Sequence, residues 1–178
     1  MPAPSRRPLD RLPREAGASL LEVVVAITIL LVLSLGLLPL GVVAISTTEN
    51  QGHLVARATE YAQDKMEQLL ALAYADSTTD TRVFPTAASG GTGLVSGGSS
   101  NANTPVAGYV DYLDVSGNLV TSGGSAAPST WYYKRVWQIT SPFANMKQVT
   151  VTTIVARGIG RSGRTPQATI TALKTNPF

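Results

Sequence analysis

Few side chains in this 178-residue chain are typed and spaced for chemistry. There is no cysteine and a single histidine, His53, so a thiol nucleophile is excluded and His53 has no ligand-spaced neighbour with which to hold a metal. Two glycine-rich stretches, Ser89-Gly-Gly-Thr-Gly and Ser96-Gly-Gly-Ser, lack the lysine and the strand-to-helix setting of a phosphate-binding loop. Asp111, Asp114, Ser116 and Asn118 bunch around a turn, but without the full spacing of a calcium loop. No catalytic residue, metal or cofactor is therefore expected. The residue that stands out is Glu22. It is the only charge at the head of an apolar run, and from Val23 to Thr48 no ionisable side chain follows.

That run exceeds the roughly 20 residues needed to cross a bilayer core as a helix. A charged side chain at the centre of such a helix costs about 2.5–3.5 kcal/mol, less towards its ends, so an intramembrane acid calls for a role. Before it lie Arg6, Arg7, Arg11 and Arg14 against Asp10 and Glu15. This excess of arginine marks the cytoplasmic side of a single span. Pro39, between Gly36 and Gly41, removes one hydrogen bond from the helix interior, and a bend or loosening is expected there.

The segment Gly17-Ala18-Ser19-Leu20-Leu21-Glu22-Val23-Val24-Val25-Ala26 resembles the class III signal of type IV pilins and pseudopilins. The resemblance implies that a prepilin peptidase cuts after Gly17 on the cytoplasmic face. It further implies that Ala18 becomes an N-methylated terminus and Glu22 the fifth residue of the mature chain. The family prefers phenylalanine directly after the cut, where this chain has Ala18. Pro39 also falls at the family's offset from the processed end. In the family, the acid at the position of Glu22 recruits the amino terminus of a neighbouring subunit. A carboxylate and an ammonium in hydrocarbon each relieve the cost of the other, so such a pair sets partner and register more than stability.

Beyond the span, Val55, Ala58, Ala62, Met66, Leu69 and Ala73 recur at three-and-four spacing, while Glu49, Arg57, Glu60, Gln63, Asp64, Glu67 and Gln68 lie mostly on other sides of the wheel. This predicts an amphipathic helix continuing the first, or a second helix joined to it near Ser46–Asn50. His53 falls on its polar face. Thr130–Thr140, Met146–Arg157 and Gln167–Lys174 are rich in β-branched and aromatic residues with period-two alternation and read as three antiparallel strands. Within them, Trp131, Tyr133 and Trp137 share one face and Val149, Val151 and Val155 another, either of which can cover the helix stripe. Arg135 is expected to stack on its aromatic neighbours. An earlier hairpin is expected over Tyr109–Thr121, turning at Gly117-Asn118. The Ser-, Thr- and Gly-rich connection Asp76–Pro105 predicts a flexible loop, with disorder across Gly90–Asn103.

The fold class is α+β, a long N-terminal helix packed on a small antiparallel meander of three to four strands, which is the type IV pilin layout that the resemblance implies. The parts are a leader over 1–17, a membrane and assembly helix over 18–45, an amphipathic helix over 46–75, a flexible connection over 76–108 and a sheet over 109–178. The Trp-Tyr-Tyr-Lys-Arg-Val-Trp-Gln-Ile and Ala-Gln-Asp-Lys-Met-Glu-Gln-Leu segments look like the minor-pilin branch that includes type IV pilus modification protein PilV and the I-type minor pseudopilin of type II secretion.

The resemblance implies a non-catalytic filament subunit in the bacterial inner membrane, then in a pilus or pseudopilus. Its partners would be prepilin peptidase, other pilins and the membrane. Two other readings stay open. An exported or membrane-anchored adhesin-like domain could use Val42-Val43-Ala44 as an ordinary cleavage site. A DNA-binding minor pilin could use Arg157, Arg161 and Arg164, in and beside the glycine-rich stretch Gly158–Pro166, to contact phosphates. Net charge, +3 overall and close to neutral without the leader, does not itself advertise a nucleic acid partner.

Overall fold

The computed structural model describes residues 19–83, 91–120, 126–156 and 165–176. The chain divides into two compact units, one over the first 44 residues and one from Ile45 onward. A single helix, α1 (Leu20–Ala71), belongs to both, with Pro39 inside it and no interruption at Ser46–Asn50. It starts where the Ser19 carbonyl accepts the backbone N–H groups of Glu22 at 2.8 Å and Val23 at 3.1 Å. Beyond its end the chain turns at Asp76, whose carboxylate accepts the N–H groups of Thr78 and Thr79 at 3.0 Å each. A short acceptor placed so close to its own backbone competes with helical hydrogen bonds and stabilises a turn instead.

In the second unit, the amphipathic part of α1 packs on one antiparallel sheet. Its strands are β1 (Gly97–Gly98), β2 (Val110–Leu113), β3 (Tyr133–Phe143), β4 (Met146–Val155) and β5 (Gln167–Thr175). β4 lies between β3 and β5, while β1 and β2 share the other edge of β3. β1 pairs with it at Gln138 and Ile139 and β2 at Tyr133 to Val136. Phe143 pairs with Met146 across the β3–β4 turn, after an irregularity that follows Thr140.

The alternation of a strand sends successive side chains to opposite faces. Trp137, Ile139, Val149 and Val151 therefore meet Ala62, Met66 and Leu69 of α1 and Leu72 just past its end. Tyr133 and Val155 join Leu113, with Leu54 and Tyr61 of the helix packed against them. Both expected strand faces thus contribute to the helix cover. Trp131 does not, because β3 begins after it, and it packs instead with Val110, Tyr112 and Val136 on the reverse face. Two members of the expected helix stripe also differ. Val55 and Ala73 are exposed, whereas Leu72 is buried.

The expected early hairpin forms, with Val120 N–H donating to the Tyr112 carbonyl at 2.8 Å and Leu113 bridged to Leu119. Its turn is held by Asp114, which accepts Ser116 N–H and Asn118 N–H, and by Gly117 at φ +87°. The disorder expected over Gly90–Asn103 is corrected for residues 91–103. Leu94 is fully buried in the main core, Gly97 and Gly98 pair with β3, and the Tyr109 hydroxyl donates to the Val95 carbonyl at 3.0 Å. A few anchors suffice to fix a connection whose composition is that of a linker.

Candidate functional site

The first unit presents one surface with a use. α1 is long and apolar enough to cross a membrane, with a mean hydropathy of 2.8 over its most apolar window and none of that window buried. From Leu20 to Ile45 its large aliphatic side chains are exposed. Contiguous exposed apolar surface of this extent is of the kind that marks a membrane or protein contact. Thr28 returns its hydroxyl to the Val24 carbonyl at 2.8 Å, which satisfies that polar group within the helix.

Glu22 occupies the third helical position after Ser19. It thus lies in the first turn, beside the positive end of the helix dipole. Its carboxylate makes no hydrogen bond or ion pair with another described residue. Pro39 sits 17 positions further along, within the helix. Gly17, Ala18, Arg157, Arg161 and Arg164 lie outside the described residues.

The second unit holds a charge cluster that links helix to sheet. Lys65, fully buried on α1, places Nζ 2.6 Å from Asp111 Oδ2 on β2. It also donates to the Thr81 carbonyl and lies 4.6 Å from the centre of the Trp137 ring. Arg135 on β3 clamps the same carboxylate with two bonds, Nε to Oδ1 at 2.7 Å and Nη2 to Oδ2 at 2.9 Å. Its Nη1 reaches back to α1, donating to Asp64 Oδ2 at 2.7 Å and to the Tyr61 carbonyl at 3.4 Å.

Asp111 and Arg135 are direct partners across the ladder, so backbone register sets up the clamp. Burial works against ionisation of Asp111, but the adjacent Lys65 and Arg135 outweigh it and hold the carboxyl below its usual range. Burial also pulls Lys65 below the ordinary ammonium range, with Asp111 opposing. Arg135 is therefore not stacked on its aromatic neighbours as expected. The cation over Trp137 is Lys65.

This cluster ties the helix to the sheet. Asp111 and Lys65 are sealed from solvent and each ion has its counter-charge. Asp111 is committed to the core and Asp114 to its own turn, so the carboxylates of the suspected calcium turn face different tasks. Among the described residues no group of three His, Cys, Asp or Glu side chains could hold a metal. His53 is exposed on the helix, as expected.

Lys65 and Asp111 as core residues escaped the sequence reading. The signal was present, for Lys65 lies three residues after Ala62 and four before Leu69, within the buried stripe. Asp111 is likewise the one charge in the short strand Val110–Leu113. Comparison with known proteins finds no matching family model, no matching curated protein and no matching solved structure.

Proposed function

We propose that this chain is a minor type IV pilin-like or pseudopilin subunit, a non-catalytic component that is held in the membrane by α1 and then built into a filament. The observation that carries this reading is Glu22. A lone acid opens an exposed apolar helix and has no partner among the described residues of its own chain. Cleavage after Gly17 would create an ammonium at Ala18, about one helical turn from Glu22. On a neighbouring subunit that ammonium would supply the missing counter-charge. Pro39 inside the helix and a small sheet packed on the helix's outer half add to the likeness.

Prepilin peptidase and other pilins are the proposed partners, and the inner membrane followed by a filament is the proposed location. Intact-mass measurement of the chain from cells with and without prepilin peptidase tests the proposal. The expected product begins at Ala18, carries one added methyl group and is absent without the peptidase. A product beginning near Ile45, cut regardless of that peptidase, would mean an ordinary exported domain instead.

A further inference from the structure

The sheet face turned away from α1 carries a cleft of about 540 Å³. Thr152 and Ile154 of β4 form its floor, since Val149, Val151 and Val155 point to the helix. β5 forms one wall with Thr169 and Gln167, because its alternate residues Ile170 and Ala172 pack towards the helix. The opposite wall is the segment after β1, residues 100–103, pinned by Ala102, which is buried against Val110, Tyr112 and Val136. The cleft therefore has two independently anchored walls, and its volume lies within the range of about 300–1,000 Å³ usual for small-molecule sites.

We propose that this cleft binds a neutral polyhydroxylated ligand, a carbohydrate. None of the described residues that line it is charged. An anion or cation entering it would shed water without meeting a counter-ion among these described residues, which is costly. An apolar ligand would strand the amides and hydroxyls that line it. Donors and acceptors are interspersed, as sugar hydroxyls require. Asn103 and Gln167 belong to opposite walls of the cleft, and neither side-chain amide hydrogen-bonds to another described residue. Thr152 and Thr169, by contrast, are joined hydroxyl to hydroxyl at 3.0 Å and keep the floor and wall in register. Ile154 and Ala102 add the small apolar surface on which the C–H face of a sugar ring can rest.

The test is a titration of the full chain, purified in a detergent without a sugar headgroup, with glucose, N-acetylglucosamine and N-acetylgalactosamine, followed by backbone amide NMR shifts. Saturable shifts confined to residues 100–103, 152–154 and 165–169 are expected for at least one of them. Asn103→Ala and Gln167→Ala, both at exposed positions, are expected to weaken that binding about three- to tenfold each, the loss of one neutral hydrogen bond, with the rest of the spectrum unchanged. No saturable shift with any of the three sugars up to their solubility limits, or undiminished binding by both variants, would overturn the assignment. The outcome does not depend on whether the chain enters a filament.

Discussion

Asp111 is the residue on which the packing of the second unit turns. It pairs directly with both buried cations, and Arg135 carries the link on to Asp64 of the helix. Removing one partner from a buried ion pair leaves an uncompensated charge and typically costs about 3–5 kcal/mol. Asp111→Ala takes the ion-pair partner from buried Lys65 and leaves Arg135 with Asp64, and is expected to cost about that much in chemical denaturation. The pH dependence follows from its lowered pKa. A carboxyl with a folded value below its ordinary 3.8 contributes stability that is present above 3.8 and is lost as pH falls through the lower folded value. Asp111→Asn, which cannot titrate, is expected to be less stable than wild type at neutral pH and to lose less on acidification below 3.8. Parallel melting curves for the two proteins down to that region check this, and equal slopes would show that the clamp does not hold the charge.

Elements were legible where one physical signal dominated. The period-two runs of Thr, Val, Ile and aromatic residues place β3, β4 and β5 to within a few residues, and the Gly117-Asn118 turn locates the early hairpin. The three-and-four spacing likewise finds the buried stripe of α1 through Ala58, Ala62, Met66 and Leu69. Legibility failed where partners come from distant segments. Lys65 on a helix wheel is a solvated charge until Asp111, 46 positions away, is known to lie opposite. Gly97 and Gly98 resemble linker because pairing to β3 leaves no mark in composition. Their conformation is nonetheless demanding, with Gly98 at φ +81° and an added Cβ falling 2.2 Å from the Trp137 carbonyl oxygen. Gly98→Ala is therefore expected to destabilise by about 1–3 kcal/mol or more. Gly52, on the exposed helix with nothing near its missing Cβ, provides the contrast, and Gly52→Ala is expected to stabilise by about 0.5–1 kcal/mol. Thermal midpoints moving in opposite directions would bear out both expectations.

At the scale of the whole molecule, one helix carries two kinds of surface. Its first part exposes aliphatic side chains and is long and apolar enough to cross a membrane, and its second part buries a stripe against a sheet tied to it by an ion cluster. The proposed division of labour puts partner choice in the first part and display in the second. The fold-defining part was readable because hydropathy and alternation are local. The proposed assembly contact instead depends on a second chain, which a monomer's own packing cannot reveal. The most direct measurement is co-isolation of Glu22→Ala with the other filament subunits from the native host, compared with wild type. Glu22→Ala is expected to be inserted and cut after Gly17 as usual yet missing from the assembled filament fraction. Recovery of the variant in that fraction at the wild-type level would contradict the assignment of Glu22 as the assembly residue.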